Sequence, residues 1–223
     1  MAQPKYLALF LLLLNVLSSH GLMFSKIISM DNYCSESYTV KHSVVIQNSL
    51  VQRKDCSITL TPDSGNILVA SFHNYKQDNV GTVIGSAITG GECQEYVKLT
   101  SRTNGNLLGT NGYCRKEKPA DQYNLGSSAV FEYHRDSHLL IRSLSYSLLV
   151  SEVFIKDPNK NCTDGTFDCD RYNYCVSDEV KCNIYDDCGN REDETVGCTG
   201  SFIGYSPVLM LLAAVHYLRS LSM

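Results

Sequence analysis

The stretch CTDGTFDCDRYNYCVSDEVKCNIYDDCGNREDETVGC, residues 162–198, holds six of the chain's ten cysteines in 37 residues. It carries 10 acidic side chains against 3 basic ones, a net of −7, whereas residues 22–161 have 14 Lys and Arg against 13 Asp and Glu. So short a segment cannot bury enough apolar surface to fold on a hydrophobic core alone. Self-repulsion at this charge density disorders a peptide unless crosslinks and a cation offset it. The stretch therefore reads as a small disulfide-stapled module gathered around a bound ion.

The six cysteines, Cys162, Cys169, Cys175, Cys182, Cys188 and Cys198, do not by themselves fix their pairing. Phe167 stands two positions before Cys169, and the segment ends with Asp187-Cys188 and then Asp193-Glu194. Taken together, these features resemble an LDL-receptor class A repeat. The resemblance implies the pairs Cys162–Cys175, Cys169–Cys188 and Cys182–Cys198. It also implies a Ca²⁺ held by the side chains of Asn183, Asp187, Asp193 and Glu194 and by the backbone oxygens of Val180 and Tyr185. Ca²⁺ accepts roughly six to eight oxygen ligands, carbonyls included, so few side chains suffice. Two positions depart from the family. Asn183 stands where Asp is usual, which removes a negative charge and weakens the expected affinity. Val180 stands where ligand-binding repeats place Trp, and the two changes impair the pocket with which such repeats grip a ligand lysine. A structural ion that folds the module is expected ahead of a lysine-gripping site, and both ahead of a solvated acidic face with no ion.

Upstream, the pattern is β throughout. Short apolar or alternating runs recur at Val40 to Ile46, Ser57 to Thr61, Ile67 to Phe72, Tyr96 to Thr100, Ala129 to Tyr133 and Leu144 to Phe154. Turn clusters separate them, among them Pro62-Asp63-Ser64-Gly65, Thr89-Gly90-Gly91 and Asn104-Gly105-Asn106. Many short strands at this spacing predict a mostly β chain built on an antiparallel sandwich. The run from Cys56 to Pro62 with Asn66 to Phe72, the strand Cys93 to Leu99, Gly112-Tyr113-Cys114, Ser127-Ser128 and Tyr133-His134-Arg135-Asp136 resemble, in order, the pieces of a CUB domain. That resemblance covers residues 34–155 and implies a jelly-roll-type sandwich with Cys34–Cys56 and Cys93–Cys114 paired. Each bridge would close a loop of twenty-odd residues, worth roughly 3 kcal/mol by loop-closure entropy. Some CUB domains also hold Ca²⁺ at one edge. The carboxylates available for that are Glu36, Glu95 and Asp136, with solvated surface acids as the alternative. The polar stretch 156–161, which contains Pro158, suits a linker.

The two ends of the chain are apolar. Residues 1–21 carry Lys5, an apolar run from Tyr6 to Leu17, and small residues at Ser19 and Gly21, the pattern of a secretory signal peptide. An even cysteine count in an exported chain reads as disulfides rather than metal thiolates. Residues 199–223 contain Thr199-Gly200-Ser201, a short spacer and the apolar run Val208 to Val215, which resembles a GPI-attachment signal. A single-pass helix and a soluble form remain open. Asn161-Cys162-Thr163 is an N-glycosylation sequon on Asn161.

Nothing in the pattern points to catalysis. Between the apolar ends the histidines are His42, His73, His134 and His138. His134 and His138 would share a face only on a helix, and their segment reads as strand and turn. No basic face suggests nucleic acid. The resemblances imply a non-enzymatic extracellular protein at the cell surface that binds a protein ligand or receptor. It would act as a co-receptor or receptor-clustering factor, in an arrangement similar to the neuropilin-and-tolloid-like family. The alternative is a soluble secreted carbohydrate- or protein-binding CUB protein.

Overall fold

The computed structural model describes residues 25–48, 55–77, 93–119, 122–136, 144–157 and 161–198. The signal-like N-terminus, the Thr89-Gly90-Gly91 turn, His138, Pro158 and the tail 199–223 lie outside them. Among the described residues no helix is long and apolar enough to cross a membrane.

The chain is mostly β. Its strands are β1 (Lys26–Ser29), β2 (Glu36–Val40), β3 (Ser43–Gln47), β4 (Asp55–Pro62), β5 (Ile67–Gln77), β6 (Glu95–Ser101), β7 (Gly105–Asn106), β8 (Gln122–Gly126), β9 (Ala129–Arg135), β10 (Leu144–Ile155), β11 (Thr166–Cys169) and β12 (Tyr174–Ser177). One sheet runs β2-β4-β9-β6-β7. The other runs β1-β3-β10, with β5 and then β8 on the far edge of β10. The two face each other across a core that includes Met30, Ile46, Ile58, Phe72, Leu99, Phe131, Tyr133, Tyr146 and Leu148.

Burial alternates along β6 and along β9 as far as His134, as expected of strands with one face on a core and one toward solvent. Most strand pairs are antiparallel, but the sheets are mixed. The N-terminal strands lie parallel to their neighbours, Ile28 beside Ile46 in β1–β3 and Tyr38 beside Leu60 in β2–β4. The run Val40 to Ile46, expected as one strand, is divided between the sheets. Strand β2 ends at Val40 in one sheet, His42 turns with φ 64°, and β3 begins at Ser43 in the other. A left-handed residue lets the chain reverse within two positions, which a continuous strand cannot do. Strands β1 and β8 lie outside the expected runs, being short and mixing polar with apolar residues.

Five disulfides are formed: Cys34–Cys56, Cys93–Cys114, Cys162–Cys175, Cys169–Cys188 and Cys182–Cys198. These are the pairs that the two resemblances imply. Among the described residues no cysteine is free.

Strand β10 decides how the acidic module sits. Along one edge it pairs with β5 from Leu144 to Val153. Along the other it pairs with β3 until Ser151 meets Ser43. Beyond that point β12 takes over the same edge, with Val153 opposite Val176, Phe154 opposite Cys175 and Ile155 opposite Tyr174. Strand β11 pairs with β12 from Thr166 to Cys169, so the module's hairpin continues the sandwich's sheet. Alternate residues of β10 point away from the inter-sheet core, and the module covers them. Leu149 packs with Val45 and Tyr185, and Val153 and Val69 cluster with Cys169, Val176 and Val180. Lys156, where the expected linker begins, is itself tied down: its N–H donates to Asn173 O at 3.1 Å and its ammonium pairs with Asp168.

Candidate metal centre

The residues from Ser177 to Cys198 fold into one tight coil. A 3₁₀ turn spans Asp178–Val180, started by Ser177, whose hydroxyl accepts the Glu179 N–H at 3.2 Å. A single helical turn, α1, spans Glu192–Thr195. Between them Cys182, Ile184 and Arg191 adopt left-handed φ of 60°, 76° and 64°. Each such residue costs of order 1–2 kcal/mol, and the conformation persists only where its surroundings over-determine it. Two disulfides and a set of inward carboxylates do so here.

All six residues that the class A resemblance singles out are buried. Asp187 and Asp193 have no exposed surface, and Asn183 and Glu194 keep only 1% and 2% of theirs. The oxygens of Asp193 accept the N–H groups of Asp187 at 2.9 Å and Cys188 at 3.4 Å. Those of Glu194 accept Asn183 N–H at 2.8 Å and Ile184 N–H at 2.7 Å. Asp187 accepts the Ser151 hydroxyl on one oxygen and Asn183 Nδ2 on the other at 2.9 Å. Asn183 Oδ1 in turn accepts Tyr185 N–H at 2.7 Å. Val180 and Tyr185 turn their side chains onto the sandwich clusters rather than outward.

Three carboxylates therefore share one buried corner. Among the described residues no Lys or Arg forms an ion pair with any of them. Burial pushes the Asp187 carboxyl up to about 8, and the Asp193 and Glu194 charges add to that, against the hydrogen bonds from Ser151 and Asn183. Burial likewise pushes Asp193 up to about 7 and raises Glu194. An all-oxygen, anionic and dry donor set is what a hard divalent cation requires, so in chemistry the residues fit Ca²⁺. Their oxygens are turned onto backbone and side-chain donors, and among the described residues no three acidic, His or Cys groups converge as a metal cage.

The sign of the pH dependence follows from the raised values. Without a cation, folded Asp187 and Asp193 retain protons that the unfolded chain gives up near pH 4. Their favourable contribution is complete below about pH 4 and is lost as pH rises toward 8, at up to ~1.4 kcal/mol per pH unit for each group. With chelator present, the module is expected to lose stability from pH 4 to pH 8. With Ca²⁺ in excess the slope should reverse, because the ion takes the place of those protons. Urea melts followed by hydrogen exchange in β12 check this. A chelated protein that gains stability over the same range would contradict it.

The three carboxylates considered for a second ion lie on three different strands or strand ends. Glu95 is buried and accepts Tyr133 O–H at 2.5 Å and Leu144 N–H at 3.1 Å, tying β6 to β9 and β10. Glu36 is exposed on β2 opposite Ile58. Asp136 closes β9 through its N–H, which donates to Gln94 O at 2.6 Å. Asn161 is exposed at the start of the module. His134 lies on a strand, stacked on Tyr96 with ring centroids 4.8 Å apart and in contact with Asp55. With Lys98, Glu132 and Ser57 these residues line an open hollow of about 250 Å³ on the outer face of the β4-β9-β6 sheet.

Sequence reasoning missed Ser151, Ser25 and Gln122, which reach the acidic corner from the sandwich. One signal was present: Ser151 is a small hydroxyl residue inside the apolar run of β10, a position usually reserved for packing unless the hydroxyl has a partner.

No family model matches the chain, and no curated protein matches it. Among solved structures, the CUB1-EGF-CUB2 domain of human MASP-1/3 matches at 15% identity with a TM-score of 0.39, covering 53% of this chain and 41% of that one. The CUB1-EGF-CUB2 domains of rat MASP-1 match at 12% identity and 0.39, covering 53% and 40%. The MASP-1 CUB2 domain bound to Ca²⁺ matches at 13% and 0.37, covering 51% of this chain and 95% of that one. This chain thus spans less than half the length of the first two.

Proposed function

We propose that this chain is a non-catalytic extracellular interaction protein, held at the cell surface by its tail, in which a CUB-like sandwich recognises a protein partner and a class A module buttresses it around Ca²⁺. The five disulfides suit an oxidising, exported setting. The observation that carries the division of labour is the burial of Val180, Asn183 and Asp187 at the joint with the sandwich. Of these, Val180 and Asn183 stand where ligand-binding repeats form the pocket that grips a lysine. Turned inward, they leave recognition to the sandwich, where Tyr96, Lys98, Glu132 and His134 line an open polar hollow. The signal peptide at 1–21, the anchoring tail at 199–223 and a glycan on Asn161 belong to the same reading.

Expression in secretory cells tests it. The full chain should appear at the surface and be released by a phospholipase that cleaves GPI anchors. The chain lacking residues 202–223 should pass into the medium with both modules folded. Tyr96→Ala with His134→Ala should lower capture of that soluble form by its crosslinked partner at least tenfold. Retention of a misfolded truncated protein would make the tail a structural element and overturn the anchoring. Capture unaffected by the double substitution would move recognition off this face. A full chain found only in the medium would favour the secreted binder.

A further inference from the structure

Three sandwich side chains, from three separate segments, reach Asp187 and Asn183 of the module. Ser151, on β10 and almost fully buried, donates its hydroxyl to Asp187 Oδ1. Ser25 Oγ accepts Asn183 Nδ2 at 2.8 Å and is itself hydrogen-bonded to Ser43 Oγ at 2.6 Å. That same Asn183 nitrogen donates to Asp187 Oδ2. Gln122, on β8, donates Nε2 to Asp187 O at 3.3 Å while its Oε1 accepts the Tyr174 hydroxyl at 2.8 Å. Both carboxylate oxygens of Asp187 are therefore oriented by the sandwich, one directly and one through an amide that the sandwich holds.

We infer that Ser151 and Ser25 are positioning residues of the module's cation site, so that Ca²⁺ binding and docking of the module on β10 form one coupled equilibrium. The inference rests on the reading that the module takes Ca²⁺. Donors to a carboxylate favour its charged form, the form that binds a metal. Groups that hold a ligand in place without touching the ion typically contribute 10–100-fold to affinity. Coupling is reciprocal: if docking tightens the grip on the ion, the ion tightens the docking by the same factor. Asn183 makes sense in these terms. A carboxylate there could not donate to both Ser25 and Asp187, so the charge given up as a ligand is exchanged for a link between the modules.

The test uses the detergent-solubilised full-length protein, with Ca²⁺ calorimetry and hydrogen exchange. Wild type should bind Ca²⁺, and the ion should slow exchange in Val153–Ile155 and Tyr174–Val176, the strands that join the two parts. Ser151→Ala should bind 10–100-fold more weakly, with a smaller effect of Ca²⁺ on those amides, and Ser151→Thr should restore most of the affinity. A folded Ser151→Ala protein with wild-type affinity and protection overturns the coupling while leaving the calcium reading intact. Wild type that neither binds Ca²⁺ nor changes its exchange overturns the calcium reading itself. Should Ser151→Ala fail to fold, Ser25→Ala probes the same link through Asn183, and unchanged affinity there overturns the coupling.

Discussion

Asp193→Ala is expected to abolish Ca²⁺ binding and to unfold the coil from Cys182 to Cys198 while the sandwich core stays intact. Asp193 supplies a buried charge and accepts two N–H groups, those of Asp187 and Cys188. Its removal leaves both donors buried without a partner, at about 1–3 kcal/mol each. A module of 37 residues has little core from which to offset that loss. Disulfides Cys169–Cys188 and Cys182–Cys198 should still form, since they constrain the unfolded segment as well as the folded one. Hydrogen exchange and limited proteolysis would show protection lost in the coil and kept in β6 and β9. A variant that retained Ca²⁺ affinity within a few-fold would remove Asp193 from the site.

Leu149→Asp should undock the module without unfolding the sandwich. Leu149 lies on the face of β10 opposite the inter-sheet core, packed with Val45 and Tyr185, whereas its neighbours Leu148 and Val150 belong to the core. A carboxylate there would be buried in the apolar contact with Val45 and Tyr185, at about 3–5 kcal/mol, the usual cost of an uncompensated buried charge. Relief comes by opening the joint and letting water in. The amides of β12 and of Val153–Ile155 should then exchange rapidly while those of β4 and β9 remain protected. Continued protection of β12 would show that the sheet pairing alone, without the apolar contact, holds the module in place.

Some of this arrangement was legible in the residues. The alternating burial of β6, and of β9 as far as His134, mirrors their alternating sequence, and the turn at Pro62 to Gly65 is set by a glycine with φ 73°. The consecutive apolar residues Val44-Val45-Ile46 and Leu148-Leu149-Val150 carry a further message. A strand with apolar side chains on both faces must be covered on both. The sequence could say that a cover exists but not what supplies it, because periodicity records burial and not the identity of the neighbour.

Local chemistry determined a good deal: a mostly β chain, ten cysteines divided four and six, and an acidic segment too short and too charged to fold on a hydrophobic core of its own. Each depends on composition or on spacing along the chain. Only the tertiary structure decided that the module's hairpin takes over the edge of β10 where β3 ends, and that Ser151 and Gln122 meet Asp187 while Ser25 meets Asn183. Ser25 and Asn183 lie 158 positions apart. No local pattern encodes such a meeting. It follows from burying two apolar faces at once, and the hydrogen bonds at the joint form because carboxylates left dry there must find donors.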